Sequence, residues 1–123
     1  MREIHDPYFG KTMVILDIGE LFCCSEDILI CTNLGSCVSV CLRDPLTGVA
    51  GMNHFLLPHV PDERVSSAHR GRYGALSIEF LFEQVVRKGG EAGRLQGKIF
   101  GGGRPTKIRE GGSIAQANVE LAL

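Results

Sequence analysis

Between Cys37 and Leu57 the chain spells out a β-hairpin. The run Cys37-Val38-Ser39-Val40-Cys41-Leu42 alternates, so Cys37, Ser39 and Cys41 share one face and Val38, Val40 and Leu42 the other. Asp44-Pro45-Leu46-Thr47-Gly48 supplies the turn, because an Asp side chain can bond its own backbone and Pro presets φ. Residues 49–57 return as the second strand, and Pro58 stops it. Both faces of this hairpin carry apolar residues, which calls for a covering layer on each side.

The rest of the chain supplies those layers. Residues 13–18 read as a short β-branched strand ended by Gly19, and 28–32 as another, following the polar turn Ser25-Glu26-Asp27. Leu34-Gly35-Ser36 is a tight connection into the hairpin. Residues 59–72 are polar and irregular and read as a surface loop. The spacing of Ile78, Leu81, Phe82 and Val85 predicts a helix over 74–88, stopped by Gly89-Gly90. Residues 97–100 read as a short strand, Gly101 to Gly112 as a glycine-rich basic loop, and Ser113-Ile114-Ala115-Gln116 as a capping box opening a last helix. The expected fold is a single α/β (α+β) domain over residues 1–123, with a mixed, mainly antiparallel sheet, the 74–88 helix on one face and further strands on the other.

Composition excludes several functions. The net charge is −1, so no basic field exists to hold nucleic acid. No run approaches the roughly 20 apolar residues of a spanning helix, and Met1 to Lys11 lacks the apolar stretch of a secretory signal; the expectation is a cytoplasmic protein without membrane insertion. Five cysteines, at 23, 24, 31, 37 and 41, make an odd number with no C-x-x-C spacing. That argues against a disulfide framework and against zinc. The nearest candidate metal pair, His54 and His59, is interrupted by Leu57-Pro58, and no metal or cofactor is expected.

The hairpin also suggests chemistry. With the strands paired symmetrically about Pro45-Leu46, Ala50 opposes Cys41 and His54 opposes Cys37. Opposed residues share a face with Cβ atoms about 4.5–5.5 Å apart, close enough for thiol and imidazole to meet. Such an imidazole favours the thiolate and can later protonate a departing amine. Gly35 and Ser36, just before Cys37, offer backbone N–H groups to an oxyanion. A one-residue slip would separate the pair onto opposite faces. Cys23, Cys24 and Cys41 read as small buried hydrophobes, and His5, His59 and His69 as surface residues.

The stretch Leu34-Gly35-Ser36-Cys37-Val38-Ser39-Val40-Cys41-Leu42-Arg43-Asp44-Pro45, with Gly51-Met52-Asn53-His54-Phe55-Leu56-Leu57-Pro58, resembles the signature of the CheD family of chemoreceptor glutamine deamidases. Asp17-Ile18-Gly19-Glu20, Lys98-Ile99-Phe100-Gly101-Gly102 and Ile114 to Glu120 are similar to further family segments. The resemblance implies a protein-glutamine deamidase in which Cys37 attacks the carboxamide, His54 is the base and a Thr orients it. It also implies a thioester intermediate, release of ammonia, and methyl-accepting chemotaxis receptors as substrate. A CheC-type phosphatase is an implied partner, and the implied layered α/β/β fold is shared with glutamine-deamidating toxins. The alternative it leaves open is a non-catalytic adaptor binding receptors and the phosphatase; a redox or metal protein using the thiols is a third reading.

Two departures stand out. The family Thr lies six residues before the Cys, where this chain has Cys31, and Thr32 follows one residue later; Thr32 is the candidate third member, with Cys31 the alternative. The chain also ends where the family continues into further strands, and residues 103–112 carry Arg104, Lys107 and Arg109 in place of a small-residue run.

Overall fold

The structure, a computed structural model, describes residues 1–56 and 74–103. Its elements are β1 (Arg2–Asp6), β2 (Lys11–Ile15), β3 (Leu21–Cys24), β4 (Leu29–Cys31), β5 (Val38–Arg43), β6 (Ala50–Asn53), α1 (Gly74–Arg87) and β7 (Gln96–Gly101). Among the described residues, one sheet has the order β3-β6-β5-β7 and is antiparallel throughout. The other has the order β1-β2-β4, with β2 and β4 parallel. The expected α+β architecture in α/β/β layers is therefore present. The mixed pairing, however, sits in the second sheet and not in the one that holds the hairpin.

The alternation along β5 sorts the two interfaces. Val38 and Val40 pack with Phe55, Leu81 and Val85 between the four-stranded sheet and α1. On the other face Cys41 and Met52 meet Val14, Leu16 and Ile30 from the three-stranded sheet. Each face of the hairpin is covered, as its double-sided apolar pattern requires.

The hairpin register differs from the symmetric expectation. Arg43 pairs with Ala50, Leu42 with Gly51 and Cys41 with Met52, and an isolated bridge joins Val38 to Phe55. The loop explains the difference. Asp44 donates its N–H to the Val49 carbonyl (2.8 Å) and accepts from Gly48 N–H (2.9 Å), so the four-residue loop is Pro45–Gly48, pivoting one residue later than Pro45-Leu46. Gly48, at φ +78°, takes the left-handed conformation this closure needs. The pairing moves by two residues, an even shift, so every side chain keeps its expected face.

Asp44 fixes that loop from inside. Its buried carboxylate accepts N–H bonds from Leu46 (2.9 Å), Thr47 (3.4 Å) and Glu91 (2.9 Å), and Arg94 grips both oxygens through Nε (3.2 Å) and Nη2 (2.9 Å). The Arg94 guanidinium, with these N–H groups, holds the Asp44 carboxyl well below the usual carboxylate range. The turn between β5 and β6 is thereby tied to the 3₁₀ turn Ala92–Arg94 that leads into β7.

Helix α1 ends where its glycines dictate. Gly90 N–H reaches the Val85 carbonyl (2.9 Å) and Gly89, at φ +109°, reaches that of Val86 (3.1 Å), the paired bonds of a Schellman cap. Its buried face is Gly74, Ser77, Leu81 and Val85, with Ile78 half-buried. Phe82, expected on the stripe, is 42% exposed. Small residues face the sheet here because α1 crosses β6 closely: a Cβ on Gly51 would stand 2.7 Å from Cys23 Cβ and 2.9 Å from Leu81 Cδ1.

Two strands escape a reading of periodicity. β1 is exposed along Arg2–His5 and has no apolar face to reveal it, and β3 is only four residues long. The expected loop at 59–72, the basic loop beyond 103 and the last helix lie outside the described residues.

Replacing Gly51 by Ala should destabilise the fold by roughly 1–3 kcal/mol, the usual cost of overpacking, read from urea unfolding midpoints. Asp44 makes a second prediction. Its folded-state pKa is depressed, so its contribution is complete above the ordinary Asp range near pH ~4 and fades as pH falls below it. Asp44→Asn should lower the melting temperature at pH 7 and flatten the loss of stability in acid, measured by thermal melts across pH.

Candidate functional site

The candidate site forms where strand ends meet. Leu16 follows β2 and Thr32 follows β4, and these parallel strands bring their carboxyl ends side by side, joined by the Leu16 N–H to Cys31 carbonyl bond (2.8 Å). His54 follows β6 on the face turned toward them. Thr32 Oγ1 lies 2.8 Å from the Leu16 carbonyl oxygen and 2.7 Å from His54 Nδ1.

Counting protons assigns the tautomer. A carbonyl oxygen only accepts, so the single hydroxyl proton of Thr32 goes to Leu16. Nδ1 of His54 must then carry a proton and donate it to Thr32 Oγ1. In the neutral ring this leaves Nε2 with a bare lone pair. Nε2 is buried and has no hydrogen-bond partner among the described residues.

Cys37 stands beside this ring. A cleft of about 480 Å³ is lined by Cys37, His54, Gly35 and Ser36, together with Arg2, Asp17, Asn33 and Leu56 among others. Carrying the hairpin register on from the Val38–Phe55 bridge sets Cys37 level with Leu56, and His54 level with Ser39. Cys37 and His54 are therefore diagonal neighbours on one face, and not directly opposed as symmetric pairing would have them. Diagonal neighbours remain within reach of long side chains.

Both groups are neutral at rest. Burial lowers the His54 pKa, and the charge of Asp17 opposes that shift. Burial raises the Cys37 thiol, against the pull of its own backbone N–H. The resting pair is a thiol and an unprotonated imidazole, and both residues line the same cleft.

The backbone clamps each partner. Asp17–Glu20 is a turn (Glu20 N–H to Asp17 carbonyl, 3.1 Å) with Gly19 at φ +86°. Gly19 donates to the His54 carbonyl (2.8 Å), and His54 donates to that of Glu20 (3.1 Å). This two-against-one pattern is a β-bulge headed by a left-handed glycine, and it aims the His54 side chain. On the other side, Val40 N–H bonds Asn53 Oδ1 (2.7 Å) in place of a backbone carbonyl, which releases β6 from β5 just before His54. The Cys37 segment is held by β7: Gly102 N–H bonds the Cys37 carbonyl and Gly103 N–H that of Gly35, both at 2.9 Å. A Cβ on Gly101 would collide with the Cys37 carbonyl, so Gly101, at φ +104°, answers to two constraints at once.

All five candidate residues are thus accounted for. Cys37, His54, Gly35 and Ser36 share the cleft, and Thr32 bonds His54 from behind it. Cys31, the alternative to Thr32, lines with Thr32 a neighbouring cavity of about 350 Å³, and it is Thr32 that bonds His54. β4 ends at Cys31, so Thr32 is beyond the pleat and its side chain is not bound to the alternation of the strand. Sequence reasoning missed Asp17, Asn33, the Leu16 carbonyl and the role of Gly101–Gly103. Only the triple glycine carried a local signal, since consecutive glycines mark close backbone approach.

The family model for CheD chemotactic sensory transduction matches residues 56–123. The chain belongs to the CheD family. Among its relatives is a probable chemoreceptor glutamine deamidase CheD of Bordetella avium, 39% identical over 123 residues, covering 99% of this chain and 54% of the relative. A probable chemoreceptor glutamine deamidase CheD of Burkholderia vietnamiensis is 42% identical over 98 residues, 79% of this chain and 40% of the relative. A third, from Shewanella oneidensis, is 38% identical over 97% of this chain and 58% of its own length. The chain spans about half the length of these CheD relatives.

The resting protonation states predict the behaviour of the thiol. Cys37 should react slowly with iodoacetamide at neutral pH and accelerate only above the free-thiol range near pH ~8.5, followed by peptide mass spectrometry at Cys37. A pre-formed thiolate–imidazolium pair would instead react fast at pH 6.

Proposed function

We propose that this chain is a protein-glutamine deamidase acting on chemotaxis receptors in the cytoplasm. Cys37 is the nucleophile, His54 the base and Thr32 the residue that orients it. The observation that carries this reading is the Thr32–His54 hydrogen bond, which leaves the lone pair on Nε2 of a ring that lines the same cleft as Cys37. The names of the curated relatives supply the substrate class. Among the described residues no helix is long and apolar enough to cross a membrane.

The steps follow from the residues. As a glutamine carboxamide enters, Nε2 of His54 takes the Cys37 proton and the sulfur attacks the carbonyl carbon. The oxygen becomes an oxyanion, met by backbone N–H groups of the Gly35–Cys37 segment. The imidazolium then protonates the leaving nitrogen and ammonia departs, leaving a thioester. Water, deprotonated by the same nitrogen, releases glutamate and restores the thiol. Thr32 keeps Nδ1 protonated throughout, so the reactive nitrogen is always Nε2. A CheC-type phosphatase is the further partner we propose, on the family resemblance alone.

The test is mass spectrometry of a receptor cytoplasmic domain incubated with the protein, seeking conversion of Gln to Glu and release of ammonia. Cys37→Ala should abolish conversion, with a loss of about 10³-fold or more. Thr32→Val should reduce it roughly 10-fold by freeing the tautomer. Conversion that survives Cys37→Ala would end the enzymatic reading. A wild-type protein that binds receptor but converts nothing would favour the adaptor.

A further inference from the structure

We propose that Asp17 is an electrostatic positioning residue, acting through His54: its carboxylate, set at the wall of the cleft, stabilises the imidazolium that forms when Cys37 is deprotonated. This rests on the reading of Cys37 and His54 as nucleophile and base. In that step the S–H bond of Cys37 breaks, its electron pair stays on sulfur and a new N–H bond forms at Nε2. The pair passes from two neutral groups to two opposite charges.

The neutral Thr32 cannot balance the new positive charge. Its hydroxyl fixes the proton on Nδ1 but brings no net charge, and the Leu16 carbonyl behind it ends the chain of hydrogen bonds. The titratable and charged groups on the cleft or in the turn bonded to His54 come from four segments among the described residues. They are Arg2 on β1, Asp17 after β2, Cys37 before β5, and Glu20 before β3. The Glu20 carboxylate is already paired, accepting from the Met1 ammonium and from the Asp17 N–H, both at 2.8 Å. Arg2 has the wrong sign. Asp17 remains as the anion able to favour an imidazolium.

Its placement is built in. The turn that carries Asp17 is bonded to His54 on both of its backbone groups, through Gly19 and Glu20. The backbone that carries Asp17 is therefore held beside that of His54. The influence of Asp17 on His54 opposes the effect of burial, in the direction this role requires. Asp17 is exposed, so its field is screened by salt.

The test reads His54 directly. NMR titration of the His54 imidazole, assigned by its loss in His54→Gln, is run on wild type, Asp17→Asn and Asp17→Glu at low and high salt. Asp17→Asn should move the titration to lower pH, high salt should close the gap, and Asp17→Glu should restore the wild-type curve. The acidic limb of the deamidation profile should move the same way, with a rate loss at neutral pH of about tenfold or less. The turn uses only the backbone of Asp17, so Asp17→Asn should melt with wild type; Asp17→Ser, titrated alongside, should show the same shift. Coincident His54 titrations in wild type and both neutral variants at low salt would overturn the proposal. Wild type that releases no ammonia from receptor defeats the deamidase reading instead, and the NMR curves still decide Asp17.

Discussion

The hydrogen bond from His54 to Thr32 joins the two sheets at the cleft, and most of the site's geometry follows from it. His54 leaves the four-stranded sheet and Thr32 the three-stranded one. Their contact requires β2 and β4 to run parallel, so that Leu16 and Thr32 arrive together at the same edge. Because Leu16 offers only a carbonyl, the hydroxyl proton has one destination and the imidazole one tautomer. A single acceptor on the far sheet thus decides which nitrogen keeps the lone pair.

The fold spends its local irregularities on this contact. A glycine-headed bulge at Gly19 grips His54 on one side, and the Asn53 side chain replaces a ladder bond on the other. Gly102 and Gly103 bond the Gly35–Cys37 segment through their backbone, and a Cβ on Gly101 would collide with the Cys37 carbonyl. Bulges and ladder substitutions re-aim side chains, and they cluster here at the ends of β5, β6 and β7. Away from the cleft the pattern is regular: Val38, Val40 and Phe55 against Leu81 and Val85 need only alternation and a helical stripe.

Burial sets the chemistry that the contact permits. Both the thiol and the imidazole are pushed toward their neutral forms. The pair therefore rests as a thiol and a neutral imidazole, and not as a stored thiolate. The proposed amide chemistry asks for this starting state, since in it a proton moves from sulfur to the departing nitrogen.

Much of this was legible in the chain itself. The alternation of Cys37 to Leu42 placed Cys37 and Cys41 on one face and the valines on the other, and the two-sided apolar hairpin foretold a layer on each side. The Asp44 turn, the glycine stop of α1 and the pairing of Cys37 with His54 on one face were all readable, because each depends on residues near in sequence or on parity alone. The exact register was not, since it turned on whether the loop began at Asp44 or Pro45, and both closures satisfy the same local rules. Nor was the choice between Cys31 and Thr32, the gripping of His54 by Gly19 and Glu20, or the presence of Asp17 at the cleft. These depend on where β2, β4 and β6 end relative to one another, and contacts between such distant segments are decided by packing of the sheets, which no local pattern encodes.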